Sequence, residues 1–219
     1  MDQKLAGRRI AVLAADPGDE TVSASRKALQ EAGAVVDMLT DSGEPKSREG
    51  SEGGSGNRHV SGTSASEFAG FLILSGDTKD IALVRGDGAI QFAREMMLLE
   101  KPVAALGDGV RLLVSSDALT GRVVACPSAL RAEVEGAGGH CVDEPVHADE
   151  NLITCRSVAE SSKLIERFIR KLESRAADLK VDELSESSFP ASDPPPGPTA
   201  LGGAGASRDK IEGDRPTGG

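Results

Sequence analysis

The chain has 219 residues, enough for one medium domain with a proper core, or a domain plus a tail. Its formal net charge of −10 repels phosphate backbones and anionic lipid surfaces, and no run of Lys or Arg is dense enough to reverse this locally, which argues against nucleic-acid and membrane partners. Apolar residues make up 38%, but the five Phe are the only aromatics, so the core must rest on Val, Leu, Ile and Ala, as helices packed on a sheet do.

In chain order, "RRIAVLA" (8–14) reads as a short buried strand. It is followed by the turn "DPGDE" and a helix face of Val22, Ala28, Leu29 and Ala32, which Gly33 stops. "AVVDMLT" (34–40) is a second strand, so the first three elements predict a right-handed parallel unit. Residues 41–66 are polar and rich in Gly and Ser, and predict a long flexible loop or a degraded hairpin. "FLILSGD" (71–77) is a strand ending in a turn, "GAIQFAREMMLLE" a helix, and "PVAAL" (102–106) a buried strand opened by Pro102.

"VRLLVSS" then reads as helix, "GRVVAC" as strand and "SALRAEVEGAGG" as a helix closed by glycines. "CVDEPV" and "NLITCR" are short strands. The last helix, "SVAESSKLIERFIRKLESRAA", docks through Leu164, Ile165, Phe168, Ile169 and Leu172. After about Asp178 the composition turns to Pro, Gly and Ser, which predicts a disordered tail, so the expected division is a domain over 1–175 and a tail over 176–219. Near-continuous apolar strands alternating with helices imply an α/β fold, a mostly parallel sheet covered on both faces.

The N-terminus lacks the apolar stretch of a signal peptide, and no segment is long enough to cross a bilayer. Cys126, Cys141 and Cys155 are odd in number and widely spaced, unlike a disulfide framework, so the expected setting is a reducing, cytoplasmic one.

In parallel α/β folds, ligands bind beyond the carboxyl ends of the strands. Three turns qualify: "ADPGDE", "SGDTKD" and the "GDG" of "AALGDGV" (104–110). The last has the form of a strand-to-helix elbow that in many enzymes seats a nucleophile, yet it offers Gly107, Asp108 and Gly109 and neither Ser nor Cys.

With these turns aligned, the chain resembles the PfpI/ThiJ (DJ-one) family of the class I glutamine amidotransferase-like superfamily over about Arg8 to Lys171. The family pattern after the elbow, "L-x-G-R", "A-G-x-x-x-V-D-x-x-V" and "D-x-N-L-I-T-S-R", is met by Leu119, Gly121, Arg122, Ala137, Gly138, Val142, Asp143, Val146, Asp149, Asn151, Leu152, Ile153, Thr154 and Arg156. The resemblance implies a flavodoxin-like three-layer α/β/α sandwich and a homodimer or larger homo-oligomer.

It also implies chemistry based on an elbow Cys with an adjacent His and a Glu from the first turn. In this sequence Gly107 stands at the Cys position, Asp108 at the His position, and Gly18 at the Glu position with Asp19 beside it. The oxyanion-like amides would come from Gly76 and Asp77, where the family usually has two glycines. Family membership therefore comes without the family's catalytic side chains.

The residues support the same conclusion independently. A nucleophile elbow holds strained backbone, and glycine adopts such geometry without steric cost, so the turn can persist without its chemistry. Asp108 then reads as a helix N-cap, its carboxylate bonding free amides and occupying any anion site there with its own charge. "GDGVRL" lacks the third glycine of a dinucleotide fingerprint.

Cys126, before Pro127, is either a displaced nucleophile or a small buried apolar residue, the commoner case. Cys155 is expected only to pack, and Cys141 has no evident partner. His140, Cys141 and His147 lack zinc-site spacing, and His140 and Cys141 face opposite sides of a strand, so no metal or other cofactor is expected. His59 is expected in solvent, and Asp16, Asp19 and Glu20 either to bind a cation or, the commoner case, to lead a helix with acids.

The expected function is that of a non-catalytic binding or stress-related protein with a small-molecule pocket. The alternative is a divergent hydrolase or lyase using Cys126 or an Asp19/Asp108 carboxylate pair.

Overall fold

A computed structural model describes residues 5–14, 16, 18–40, 57–75 and 86–186. A seven-stranded sheet has the order β3-β2-β1-β4-β5-β9-β8. It is built from β1 (Arg9–Ala14), β2 (Val35–Thr40), β3 (Asn57–His59), β4 (Gly70–Ser75), β5 (Val103–Gly107), β8 (Val146–Asp149) and β9 (Leu152–Cys155). All neighbours are parallel except β8 and β9, which run antiparallel. A separate parallel pair, β6 (Val123–Ala125) and β7 (His140–Val142), lies beside it.

The sheet's central strands are apolar on both faces because both are covered. Ile10, Val12, Leu72, Leu74, Ala104 and Leu106 face the layer of α1 (Glu20–Glu31) and α5 (Ser161–Glu186). The alternate residues Ala11, Leu13, Phe71, Ile73, Val103 and Ala105 join the core built with α2 (Asp87–Leu98), α3 (Val110–Ser115) and α4 (Arg131–Gly136). This period-two partition gives the three-layer, flavodoxin-like α/β/α architecture. On α5, Leu164, Phe168 and Leu172 recur every four residues and are buried, each contributing about 2 kcal/mol of burial free energy.

Three boundaries differ from the sequence expectation, the first being that "CVDEPV", read as one strand, is split between β7 and the start of β8. Residues 57–59, placed in a flexible loop, form β3, paired in parallel with β2 through Met38↔Asn57, Leu39↔Arg58 and Thr40↔His59, so this stretch is an edge strand and not part of a hairpin. Helix α5 runs to Glu186, past the expected start of the tail, because "DLKVDELSE" is composed mostly of helix formers and has neither Gly nor Pro. Residues 60–66 of the same expected loop are also ordered, with Val60 and Ala65 buried and a short 3-10 helix over Ala65–Glu67, while 41–56 and the tail from 187 onward lie outside the described residues.

Candidate functional site

Strand β5 is buried along its length and ends on Gly107 at φ +53°, the left-handed backbone that glycine adopts without a Cβ penalty. The chain then turns sharply: the Gly109 amide donates to the Leu106 carbonyl (2.9 Å) and the Arg111 amide to the Asp108 carbonyl (3.0 Å) as α3 begins. A Cβ on Gly109 would lie 2.9 Å from Ile73 Cγ2 and 3.0 Å from the Leu106 oxygen, so the second glycine is required by close packing. The turn thus has the geometry of a nucleophile elbow, with no side chain at its apex.

Asp108 does not cap the helix as the sequence suggested. Helix α3 starts at Val110 with Gly109 in the cap position, and no side-chain cap bond is made. The turn inserts one more residue than a simple cap would, which leaves the half-buried Asp108 carboxylate without a hydrogen-bond partner among the described residues. The first turn behaves as expected. Asp19 caps α1, its Oδ1 accepting from the Thr21 (2.7 Å) and Val22 (3.2 Å) amides, and Asp16 Oδ1 accepts from the Gly18 amide (2.8 Å). Asp19 is therefore engaged as a cap. Gly76 and Asp77 lie outside the described residues.

The thiols differ most from expectation. Cys126 and Cys141 are joined in a disulfide, Cα to Cα 6.2 Å, correcting both the reading of Cys126 as a displaced free thiol and that of Cys141 as partnerless. The register explains the pairing. Val124 lies opposite Cys141, so Cys126, two residues on and just past the end of β6, projects on the same face beside it. The intervening helix hides this proximity in the sequence, and the cysteine content no longer argues for a reducing setting.

Cys155 is the thiol that touches the elbow, a neighbour the sequence did not reveal. It lies opposite Leu106 across the β5–β9 ladder, is fully buried, contacts the Gly107 backbone, and donates to the Ser157 carbonyl at 3.5 Å. Burial pushes its pKa up to about 12; the Glu160 charge adds to this, while the Gly107 backbone works against it. The group beside the elbow is thus a buried neutral thiol and packs, as expected.

His140 is exposed, His147 Nδ1 pairs with Glu144 Oε2 (3.0 Å), and His59 Nδ1 accepts from the Ser61 amide (3.2 Å). Among the described residues, no group of three or more His, Cys, Asp or Glu is placed to hold a metal, and no helix is long and apolar enough to cross a membrane.

A buckle of polar contacts, set mostly toward the amino ends of β5 and β9, ties the small sheet to the large one. Asp149 Oδ2 accepts from the Val123 amide (2.7 Å) and Thr154 Oγ1 from the Ala125 amide (2.8 Å). Arg122 pairs with Glu150 and bonds Asn151 Oδ1 (3.3 Å), and Asn151 Nδ2 donates to the Lys101 carbonyl (2.9 Å). Arg156 pairs with Asp143 at 2.6 Å.

The sequence pattern of the DJ-1/PfpI family matches residues 8–171. The chain belongs to the DJ-1/PfpI family. It is 30% identical to General stress protein 18 of Bacillus subtilis over 142 residues, 64% of this chain and 82% of that protein. It is 28% identical to Protein/nucleic acid deglycase 2 of Escherichia coli over 158 residues, 68% and 89% of the two chains. Among solved structures, the ThiJ/PfpI domain protein of Brachyspira murdochii shares the fold at a TM-score of 0.64 and 22% identity, covering 77% of this chain and 98% of its own.

The family residues recognised in the sequence now have a physical role. Arg122, Asp143, Asp149, Asn151, Thr154 and Arg156 all make the contacts of the buckle.

Proposed function

We propose that this DJ-1/PfpI-family chain lacks the family's Cys-dependent activity and acts as a non-catalytic binding protein, in the stress-related setting that the name of its Bacillus subtilis relative suggests. The observation that carries this reading is Gly107, seated at the elbow in left-handed backbone where a nucleophile would stand, with a buried, protonated Cys155 as its thiol neighbour. A thiol attacks as its thiolate, and a group titrating near 12 supplies almost none at neutral pH.

The alternative, a hydrolase or lyase with relocated groups, has less support. Its Cys126 sulfur is bonded to Cys141, and its Asp19 carboxylate is committed to the α1 cap. A screen for methylglyoxal, peptide and amide turnover tests the reading. Rates equal to buffer are expected, and robust turnover overturns it. Family resemblance further proposes a homodimer or larger homo-oligomer; light scattering behind size exclusion would test the assembly, and a monomer would refute it.

A further inference from the structure

At the amino ends of the strands, across the sheet from the elbow, lies a cavity of about 440 Å³, within the size range of small-molecule sites. Its apolar lining is the buried Leu5, Phe68, Leu172 and Ala176 with the partly buried Ala69. Its polar lining is mostly cationic: Arg8, Arg9, Lys101 and Arg175, with Glu67 the acid among them.

Glu67 does not neutralise this set. It pairs with Arg58 (2.8 Å) and lies 3.7 Å from Arg9, which also binds the buried Asp37 carboxylate, so two arginines and two acids close a balanced cluster. That leaves Arg8, Lys101 and Arg175 without a carboxylate partner among the described residues.

Two of these three are held in place by neutral groups. Lys101 Nζ donates to the carbonyls of Ala65 (2.8 Å), Ser66 (2.9 Å) and Phe68 (2.5 Å), and Arg175 to those of Leu99 (3.0 Å) and Glu100 at the end of α2. Carbonyl oxygens orient a cation without cancelling its formal charge. Burial, followed by the nearby Arg175 charge, lowers the Lys101 pKa from its ordinary value, as expected for a cation beside another cation in a partly dry setting.

We propose that this cavity binds a small amphipathic oxyanion, a carboxylate or phosphate monoester on an apolar body. The body packs on the apolar wall beside Ala69 and Ala176 while the anionic head bonds Arg8 and Arg175, and the Lys101 ammonium, its three donors held by carbonyls, adds its charge. The three cations come from three separate segments, so the site forms only on folding and is invisible in a sequence of net charge −10. It lies at the end of the sheet opposite the elbow and stands whether or not the elbow is catalytic.

The test is a titration of the full chain with phenyl phosphate, benzoate, inorganic phosphate and benzyl alcohol, followed by calorimetry and by amide shifts in NMR. Phenyl phosphate or benzoate should bind at least ~tenfold more tightly than benzyl alcohol or inorganic phosphate, with shifts centred on Arg8, Ala69 and Lys101. Binding should weaken with added salt, and the Lys101 ammonium should titrate at higher pH in the complex. Arg8→Gln and Arg175→Gln, checked for an unchanged fold by thermal melting, should each weaken binding by ~threefold or more. Because the shift map needs no variant, it decides the matter even if a substitution unfolds the chain. No binding below about 10 mM, equal binding of the neutral alcohol, equal binding of inorganic phosphate, or shifts centred elsewhere each overturn the proposal.

Discussion

The elbow and the buckle both follow the family pattern, and they keep different halves of it. At the elbow the shape is there, with Gly107 at φ +53° and a tight turn into α3, while on the proposed reading the side chains that would act are replaced. At the buckle the side chains survive: Asp149 and Thr154 accept from backbone amides, the Ala125 amide among them buried, Asn151 donates to a backbone carbonyl, and Arg122 holds Asn151. Residues that hold a fold together fail visibly when changed, whereas an apex residue can be exchanged for glycine with the turn intact. A strong family match carried by the buckle is evidence for architecture, and activity has to be judged at the elbow.

The largest effect that would sharpen this contrast lies in the disulfide flanking the buckle. It closes a loop of 15 residues around α4, and Cys126→Ala with Cys141→Ala should cost about 3 kcal/mol in denaturant unfolding. An unchanged midpoint would show that the bridge contributes nothing to the folded state. Next, Thr154→Val keeps the shape but strands the buried Ala125 amide, and should cost about 2 kcal/mol. A neutral result would break the comparison, since the buckle would then not be needed for architecture.

A pH effect should follow from Cys155. Its pKa is raised from 9.0 to about 12, so between those values the native chain keeps a proton that the unfolded chain releases. Stability should therefore be full below about pH 9 and fall above it by about 1.4 kcal/mol per pH unit relative to Cys155→Ala. The chain has no Tyr to titrate in this window, and the opposing contribution of Lys101 is common to both proteins and cancels. Urea unfolding of both proteins at several alkaline pH values checks this, and parallel curves would contradict a buried neutral thiol. The smallest change expected is Gly107→Ala, which forces a Cβ into left-handed backbone at a cost of about 1 kcal/mol. A stabilised variant would mean that the elbow is not strained.

Much of this architecture was legible because it rests on local pattern. The apolar runs in β1, β4 and β5 and the four-residue rhythm of Leu164, Phe168 and Leu172 announced a covered parallel sheet. β3 was missed because "NRH" has no apolar signal and is a strand only through its pairing with β2. The end of α5 was misjudged because helix formers run on beyond Asp178, before the Pro-rich stretch begins.

The site was legible where it depended on one turn and hidden where it depended on strand order. Gly107 could be read from "GDG", and the acids leading α1, Asp19 among them, from their place before a helix. Asp108 was misassigned because the helix starts a residue later than a simple cap would allow. Cys155 beside Gly107, Cys126 beside Cys141, and the Arg8, Lys101 and Arg175 cluster each join segments far apart in the chain, and spacing alone cannot show that.

The central claim is that the elbow has kept its shape and lost its chemistry. Steady-state turnover of methylglyoxal by the unmodified chain, run beside Cys155→Ala and Cys126→Ser, tests it most directly. The account predicts rates indistinguishable from buffer in all three proteins; turnover by the unmodified chain that either cysteine substitution abolishes would contradict it.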